Sequence, residues 1–171
     1  DYRWDIFSPY MDNLTPGCSV LDIGCGSLME THYLSKRGFQ VTGIDFHAEM
    51  LEKYRLQYDW DGIPEPTLIA ENFLDYCQKG NSFDLVTAFD VIEHIHELDK
   101  TLDAIYTSLK PGGLLFSTIP NKWASTELYS RVLGRLLRLV GHKSPPGVGH
   151  VQFKSVAEWK QILTGFGFEI L

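Results

Sequence analysis

Short apolar runs alternate with stretches of helical spacing along most of the 171-residue chain. The runs are rich in Val, Ile, Leu and Phe, as expected for strands buried on both faces of a parallel sheet. The pattern predicts strands at 19–23, 40–44, 67–70, 83–88, 114–119 and 168–171. Helices are expected over about 27–36, 48–58, 73–78, 98–109 and 156–164. This order predicts an α/β fold, a doubly wound and mostly parallel sheet with helices on both faces.

The segment 120–154 interrupts this alternation. Apolar residues at helical spacing predict a helix over 124–140. Arg131, Arg135 and Arg138 fall on its opposite face, a local reversal of charge in a chain of net charge −7. We interpret the segment as a lid-like insert in a single domain, 1–171, and as a candidate contact with an anionic membrane surface. The alternative is a helix packed on the domain with its arginines in solvent.

Composition narrows the class of protein. With 44% hydrophobic and 22% charged residues, the chain has the make-up of a globular domain with a full core. Its acidic net charge disfavours a general nucleic-acid binder, which needs a basic face. Three scattered cysteines indicate reduced thiols and a cytoplasmic location, peripheral to a membrane if the insert makes that contact. Because the last predicted strand lacks a partner, we expect the fold to be truncated before its final strand.

A glycine-rich turn carries the strongest chemical signal. The first predicted strand runs directly into Gly24-Cys25-Gly26 and then into a helix. Glycines allow a tight turn on which a ligand can lie, and the N–H groups of the helix start attract an anion. Asp45 ends the second strand 21 residues after Gly24, where a carboxylate can bind both ribose hydroxyls of an adenosine. A nicotinamide enzyme shares these features, but its fingerprint needs a glycine where this chain has Met29.

Four segments in this order resemble the motifs of Rossmann-like S-adenosylmethionine (SAM)-dependent methyltransferases. They are Asp22-Ile23-Gly24-Cys25-Gly26, Gly43-Ile44-Asp45, Phe83-Asp84-Leu85-Val86 and Leu109-Lys110-Pro111-Gly112-Gly113. The resemblance implies a Rossmann-like fold and SAM as cofactor. It places the methionine end of SAM at the glycine-rich turn, the ribose on the acid after the second strand and the adenine beside the ends of the second and third strands. The implied cofactor-binding residues are Asp22, Gly24, Cys25, Gly26, Asp45, Phe46, Glu71, Asn72 and Phe89.

Two parts of this pattern have alternative interpretations. The third glycine of the family's turn is Leu28 here, which would either crowd the methionine part of SAM or begin the helix one residue differently. Asn72 is a good helix N-cap, so Glu71 and Asn72 could form a solvated helix start instead of an adenine contact.

The segment Asp90-Val91-Ile92-Glu93-His94 resembles the Glu-x-x-Glu-His segment of the O-methyltransferases of ubiquinone biosynthesis. The resemblance implies Asp90, Glu93 and His94 as ligands of a magnesium ion, although Asp90 is one methylene shorter than the family's Glu. The alternative is a helix start that holds no metal. His94 is also a candidate general base, as is His150, which ends a Pro/Gly-rich loop and is otherwise a surface histidine.

We therefore interpret the chain as a SAM-dependent methyltransferase that acts on a small molecule, with oxygen as the favoured acceptor atom. No nucleic-acid partner is expected. The alternative is a non-catalytic module that binds SAM or a nucleotide, which the replacement of the third glycine suggests.

Overall fold

The computed structural model describes residues 2–121 and 151–171. Its strands form one sheet in the order β3-β2-β1-β4-β5. The elements are α1 (Tyr2–Met11), β1 (Ser19–Ile23), α2 (Met29–Lys36), β2 (Gln40–Asp45), α3 (Ala48–Arg55), β3 (Thr67–Ala70), α4 (Phe73–Cys77), β4 (Phe83–Phe89), a 3₁₀ helix (Ile92–His94), α5 (Leu98–Ser108), β5 (Leu109–Thr118) and α6 (Val156–Gly165). The chain divides into two compact units, Asp1–Phe89 with Thr107–Ser117, and Asp90–Tyr106 with Thr118–Leu171.

The central strand, β1, is buried from Val20 onwards, and its residues are apolar except for Ser19 and Asp22. Val20, Leu21 and Ile23 are at most 3% exposed. β1 pairs in parallel with β2 on one side and with β4 on the other, and β2 pairs in parallel with β3. The predicted α/β architecture with a parallel sheet is therefore confirmed.

The strand order reverses at β1. β2 and β3 lie on one side of this strand, and β4 and β5 lie on the other. In open α/β sheets, ligands bind at the carboxyl ends of the strands beside such a reversal. The turn after β1 and the end of β4 meet at this edge, so the fold brings Gly24 and Phe89 to the same side of the sheet.

An N-terminal helix that the sequence pattern did not predict completes the core of the first unit. Trp4 stacks on Tyr33 with ring centroids 4.0 Å apart, and Phe7 stacks on Phe116 at 4.6 Å. Aromatic residues are modest helix formers and Pro9 lies inside the helix, so local propensity gives little signal here. Tertiary packing of the aromatic side chains is what stabilises α1.

The predicted strand at 168–171 is wrong, because these residues form no strand. Gly167 adopts a φ of +96° and ends α6. The N–H of Gly167 donates to the carbonyl of Thr164, and that of Phe168 donates to the carbonyl of Leu163, the pair of bonds of a Schellman cap. The Phe168 ring then packs edge-on against Tyr106 at 5.2 Å, so the chain here caps a helix.

The helix proposed over 124–140, its three arginines and the candidate base His150 lie outside the described residues. Among the residues that are described, no helix combines the length and apolar character needed to cross a bilayer.

Candidate functional site

The glycine-rich turn after β1 is bonded to the end of β2. The backbone N–H groups of Gly24 and Cys25 both donate to the carbonyl of Ile44, at 2.8 and 3.1 Å. Gly24 and Gly26 have φ values of +67° and +43°, in the left-handed region that L side chains rarely adopt. A Cβ on Gly26 would lie 3.7 Å from the Gly24 carbonyl oxygen and 4.0 Å from a carboxylate oxygen of Asp45. The turn therefore needs its glycines for conformation more than for space.

Asp45 contacts this turn directly. Its Oδ2 accepts a hydrogen bond from the Gly26 N–H at 3.2 Å, and its Oδ1 accepts from the backbone N–H of His47 at 3.0 Å and contacts His47 Nδ1 at 3.1 Å. The residue is 8% exposed. An ionised carboxylate has about four acceptor positions, so this one keeps capacity for a further donor such as a ribose hydroxyl.

Asp22 lies inside the protein, two residues before the turn. Its carboxylate accepts hydrogen bonds from the hydroxyls of Thr31, at 2.6 Å, and Thr87, at 2.7 Å. Burial raises the pKa of Asp22 to about 6, against the opposing effect of these two hydrogen bonds. Because the Asp22 side chain is only 2% exposed, its effect on a bound ligand would pass through the backbone of the turn.

Leu28 resolves the question raised by the missing third glycine. It adopts a φ of +60°, the left-handed conformation that a glycine takes without strain, and it is the N-cap of α2. Its side chain is fully buried in a cluster with Cys25 and Leu51. Burial also raises the pKa of the Cys25 thiol, with the charges of Asp22 and Asp45 adding to the effect. Leu28 and Cys25 thus anchor the turn from its apolar side.

The residues predicted at the adenine differ in their surroundings. Phe46, directly after Asp45, is 74% exposed and is open to stack on a planar ring. Glu71 forms an ion pair with Lys79 at 2.7 Å. Asn72 accepts a hydrogen bond from the backbone N–H of Leu74, so the N-cap that its side chain predicted is confirmed, for α4, while the contact with adenine stays a prediction.

A cavity of about 350 Å³ runs along one face of α3, beside β3 and the two residues that precede it. Of the two strand ends that the family resemblance places beside the adenine, this cavity reaches that of β3, at Ala70. Its floor includes apolar side chains, and Arg55 at its edge pairs with Glu52 and Glu65. The lining residues are Ala48, Leu51, Glu52, Arg55, Glu65, Pro66, Leu68 and Ala70.

Phe89, at the end of β4, is surrounded by residues of α1. Trp4 meets it edge-on at 5.4 Å, and Phe7 lies 5.5 Å away. The guanidinium of Arg3 lies over the Phe89 ring at 5.5 Å and pairs with Glu30 at 2.9 Å. Arg3 was not among the predicted site residues, although a basic residue within an aromatic segment is a usable signal. It places a cation at the carboxyl edge of the sheet.

The segment after β4 does not form the predicted metal site. Asp90 has a left-handed φ of +55° and accepts a hydrogen bond from the Thr118 hydroxyl at 2.9 Å. Glu93 is 1% exposed and His94 is exposed, so the candidate ligands lie in different environments. Over 2–121 and 151–171, no three His, Cys, Asp or Glu side chains come together in a group that could hold a metal ion. The geometry therefore does not support Asp90, Glu93 and His94 as a ligand set.

The backbone around this segment is nevertheless well bonded. The N–H groups of Val151 and Gln152 both donate to the carbonyl of Glu93, at 2.7 and 3.0 Å. The Gln152 side chain donates to the carbonyl of Ile95 at 2.8 Å. The chain that follows the insert is thus fixed to the residues that carry the candidate base His94.

A parallel sheet with this strand order, and a glycine-rich turn bonded to an acid at the end of β2, define a Rossmann-like methyltransferase fold. The chain belongs to the methyltransferase domain family, whose model matches residues 5–171. The resemblance inferred from the four motifs is confirmed.

Relatives at 30–35% identity are named as ubiquinone biosynthesis O-methyltransferases. The mitochondrial protein of Rattus norvegicus is 35% identical over 123 residues, which are 69% of this chain and 34% of the relative. The protein of Xanthomonas axonopodis pv. citri is 30% identical over 159 residues, 90% of this chain and 64% of the relative. That of Idiomarina loihiensis is 33% identical over 118 residues, 66% of this chain and 48% of the relative. The chain thus spans less than two thirds of the length of each.

Solved structures share the fold at lower identity. The magnesium protoporphyrin IX methyltransferase of Synechocystis PCC 6803, with bound S-adenosylhomocysteine (SAH), superposes with a TM-score of 0.76 at 22% identity, covering 99% of this chain and 71% of that one. The [4+2]-cyclase SpnF reaches a TM-score of 0.73 at 20% identity, covering 98% and 57%. Because a cyclase shares this fold, the fold alone does not define the reaction.

Proposed function

We propose that this chain is the SAM-binding part of a methyltransferase that transfers a methyl group to an oxygen of a small molecule. The observation that carries the proposal is the direct bond between the Gly26 N–H and Asp45. It joins an open, glycine-lined turn to an acid with acceptor capacity for ribose. These two features are what an adenosyl ligand with a methionine tail requires.

The residues of the first unit have complementary roles in this proposal. The turn at Gly24 and Gly26 approaches the methionine part closely, because neither residue has a side chain to exclude it. Asp45 accepts hydrogen bonds from the ribose, and the exposed ring of Phe46 stacks on the adenine. Arg3 offers a positive charge for the methionine carboxylate. When bound, SAM supplies a methyl group on a positively charged sulfur, which is a good leaving group.

Oxygen and a small acceptor are proposed because of the relatives' names, which specify O-methyltransferases of ubiquinone biosynthesis. In such a transfer the acceptor oxygen forms a bond to the methyl carbon while the carbon–sulfur bond breaks. The electron pair of the carbon–sulfur bond goes to sulfur. The hydroxyl proton must pass to a base, for which exposed His94 is the candidate. The expectation of a magnesium ion depends only on the resemblance of residues 90–94 to the family's segment, because the described side chains form no group of metal ligands.

Methyl turnover tests the proposal and separates it from a non-catalytic SAM-binding module. The chain is incubated with methyl-labelled SAM and a panel of phenols, catechols, amines and carboxylic acids, and the products are identified by mass spectrometry. We expect labelled phenol or catechol ethers together with SAH. SAH binding without any labelled product would support the non-catalytic module, and labelled amines alone would overturn oxygen as the acceptor.

Two further arms test the chemistry. His94→Asn should lower kcat about 100-fold or more if the histidine removes the proton, whereas His96→Asn, at an exposed histidine two residues away, should not. Full activity after exhaustive chelation would show that the methyl transfer needs no magnesium ion. Equal activity of both histidine variants would remove His94 as the base.

A further inference from the structure

Two hydroxyls from different elements converge on the buried carboxylate of Asp22. Thr87, on β4, is paired in register with Asp22 on β1, and its hydroxyl donates to one carboxylate oxygen at 2.7 Å. Thr31, on α2, donates to the other oxygen at 2.6 Å. Asp22 is 2% exposed and both threonines are fully buried. The three side chains connect the central strand, its neighbour and the helix that follows the glycine-rich turn.

This connection spans the turn itself. Asp22 lies two residues before Gly24, and Thr31 lies three residues after Leu28, so the Thr31–Asp22 bond joins the strand that enters the turn to the helix that leaves it. Thr87 donates from β4 to the other oxygen of the same carboxylate. Both hydroxyls are therefore bonded to a strand residue that lies two positions before the turn.

We propose that Thr31 and Thr87 are positioning residues for the methyl donor, which hold the glycine-rich turn in its ligand-binding shape through the ionised carboxylate of Asp22. The inference rests on the proposed function, since it concerns the affinity of the same turn for SAM and SAH. Neither threonine contacts the donor in this proposal. Their effect passes through Asp22 to the backbone from Gly24 to Leu28.

The charge of Asp22 makes the proposal testable by pH. Burial raises the pKa of Asp22 to about 6, and Glu30 on α2 adds to this effect, whereas the two threonine hydroxyls lower it. Cys25 is the titratable group in the turn, and burial keeps its thiol protonated. Both hydroxyls donate to the carboxylate, so protonation of Asp22 takes away an acceptor. The ligand-binding shape should then be lost as the pH falls through about 6.

Calorimetric titration with SAH between pH 5 and 8 tests this dependence. Thr31→Val and Thr87→Val keep the volume and remove the hydroxyl, and each should weaken binding about tenfold at pH 7 and raise the pH midpoint of affinity by about one pH unit. Thr31→Ser and Thr87→Ser should restore both values. Thr101→Val is the matched control, because the Thr101 hydroxyl is equally buried and has no hydrogen-bond partner within the described residues.

If the valine variants fold poorly, a further variant and a further measurement still test the proposal. Asp22→Asn cannot ionise, so its affinity for SAH should not vary with pH where that of the wild type does. The pKa of Asp22, followed by carbon NMR in the ligand-free protein, should rise in both valine variants and stay unchanged in Thr101→Val.

The inference would be overturned, and the proposed function left intact, by either of two results. One is a wild-type pH midpoint of SAH affinity in the valine variants. The other is a wild-type dependence of SAH affinity on pH in Asp22→Asn. Failure of the wild-type chain to bind SAH or SAM at any pH would overturn the proposed function, and this inference with it.

Discussion

The backbone N–H of Gly26 donates a hydrogen bond to Oδ2 of Asp45 over 3.2 Å, so the turn after β1 and the acid after β2 form one structure. The two residues are 19 positions apart in the chain. They meet because β1 and β2 are adjacent parallel strands, in which Ile23 is paired with Ile44. The two features therefore lie within reach of a single ligand.

Replacement of Asp45 by Ala should weaken the binding of SAH by about 1.5–3 kcal/mol, a factor of ten or more, because a charge-assisted hydrogen bond to the ribose is lost. Titration calorimetry at pH 7 measures the effect. Asp99→Ala, at an exposed aspartate on α5, is the control and should bind as the wild type does. If Asp45→Ala retained wild-type affinity, the ribose assignment would be wrong.

Features determined by the local sequence could be predicted well. The strand at 19–23, the turn at Gly24 and the acid at position 45 all lie where the pattern placed them, because buried parallel strands are continuous apolar runs and tight turns require glycine. The N-cap at Asn72 was likewise recognisable, since an Asn side chain is suited to bond the N–H two residues on.

Features that depend on distant contacts could not be predicted. α1 forms because Trp4 and Phe7 find Tyr33 and Phe116, which are far away in the sequence. The bonds of Thr31 and Thr87 to Asp22 depend on strand register and helix placement, so nothing in the local pattern singles out these two threonines.

Leu28 should contribute to stability although it stands where the family has glycine. Leu28→Ala keeps the left-handed backbone and leaves a cavity beside Cys25 and Leu51, so we expect a loss of about 2–5 kcal/mol in the free energy of unfolding. Urea denaturation followed by circular dichroism measures it. Leu56→Ala is the control, because Leu56 is 70% exposed and should change stability by less than about 0.5 kcal/mol. Equal stability of the two variants would show that the Leu28 side chain is not packed as described.

Gly43 on β2 is required for space. A Cβ there would lie 2.9 Å from the Cys25 sulfur and 3.1 Å from a methyl carbon of Leu68. Gly43→Ala should therefore destabilise the protein by about 1–3 kcal/mol through overpacking. Thermal unfolding of Gly43→Ala, Cys25→Ala and the double variant forms a cycle in which part of the loss should be recovered, because Cys25→Ala removes the nearer atom.

The control for this cycle is Gly165→Ala at the end of α6, where nothing lies within 4 Å of the added Cβ. That variant should be at least as stable as the wild type, because alanine favours a helix over glycine. Strict additivity in the Gly43 and Cys25 cycle would contradict the predicted clash.

Asp84, at the start of β4, should make stability depend on pH in the acid range. Its Oδ2 contacts the ammonium of Lys110 and the backbone N–H and hydroxyl of Ser19, each at 2.8 Å. The hydrogen bond from Lys110, followed by those from Ser19, lowers the pKa of Asp84 from 3.8 to about 2. Because the pKa is lower in the folded protein than in the unfolded chain, this stabilisation is complete above about pH 4 and is lost as the pH falls towards 2.

The expected contribution is about 1 kcal/mol, since the Asp84 side chain is 28% exposed and solvent screens its pairing with Lys110. Asp84→Asn should therefore lose less stability than the wild type between pH 4 and pH 2, and the two proteins should differ by a constant amount from pH 5 to 7, where the carboxylate is ionised in both states. Urea unfolding across this range measures both differences. Parallel stability curves down to pH 2 would mean that Asp84 titrates alike in the folded and unfolded chains. Lys110→Met removes the partner with the largest effect on the pKa of Asp84. Its loss of stability between pH 4 and pH 2 should therefore lie between that of the wild type and that of Asp84→Asn.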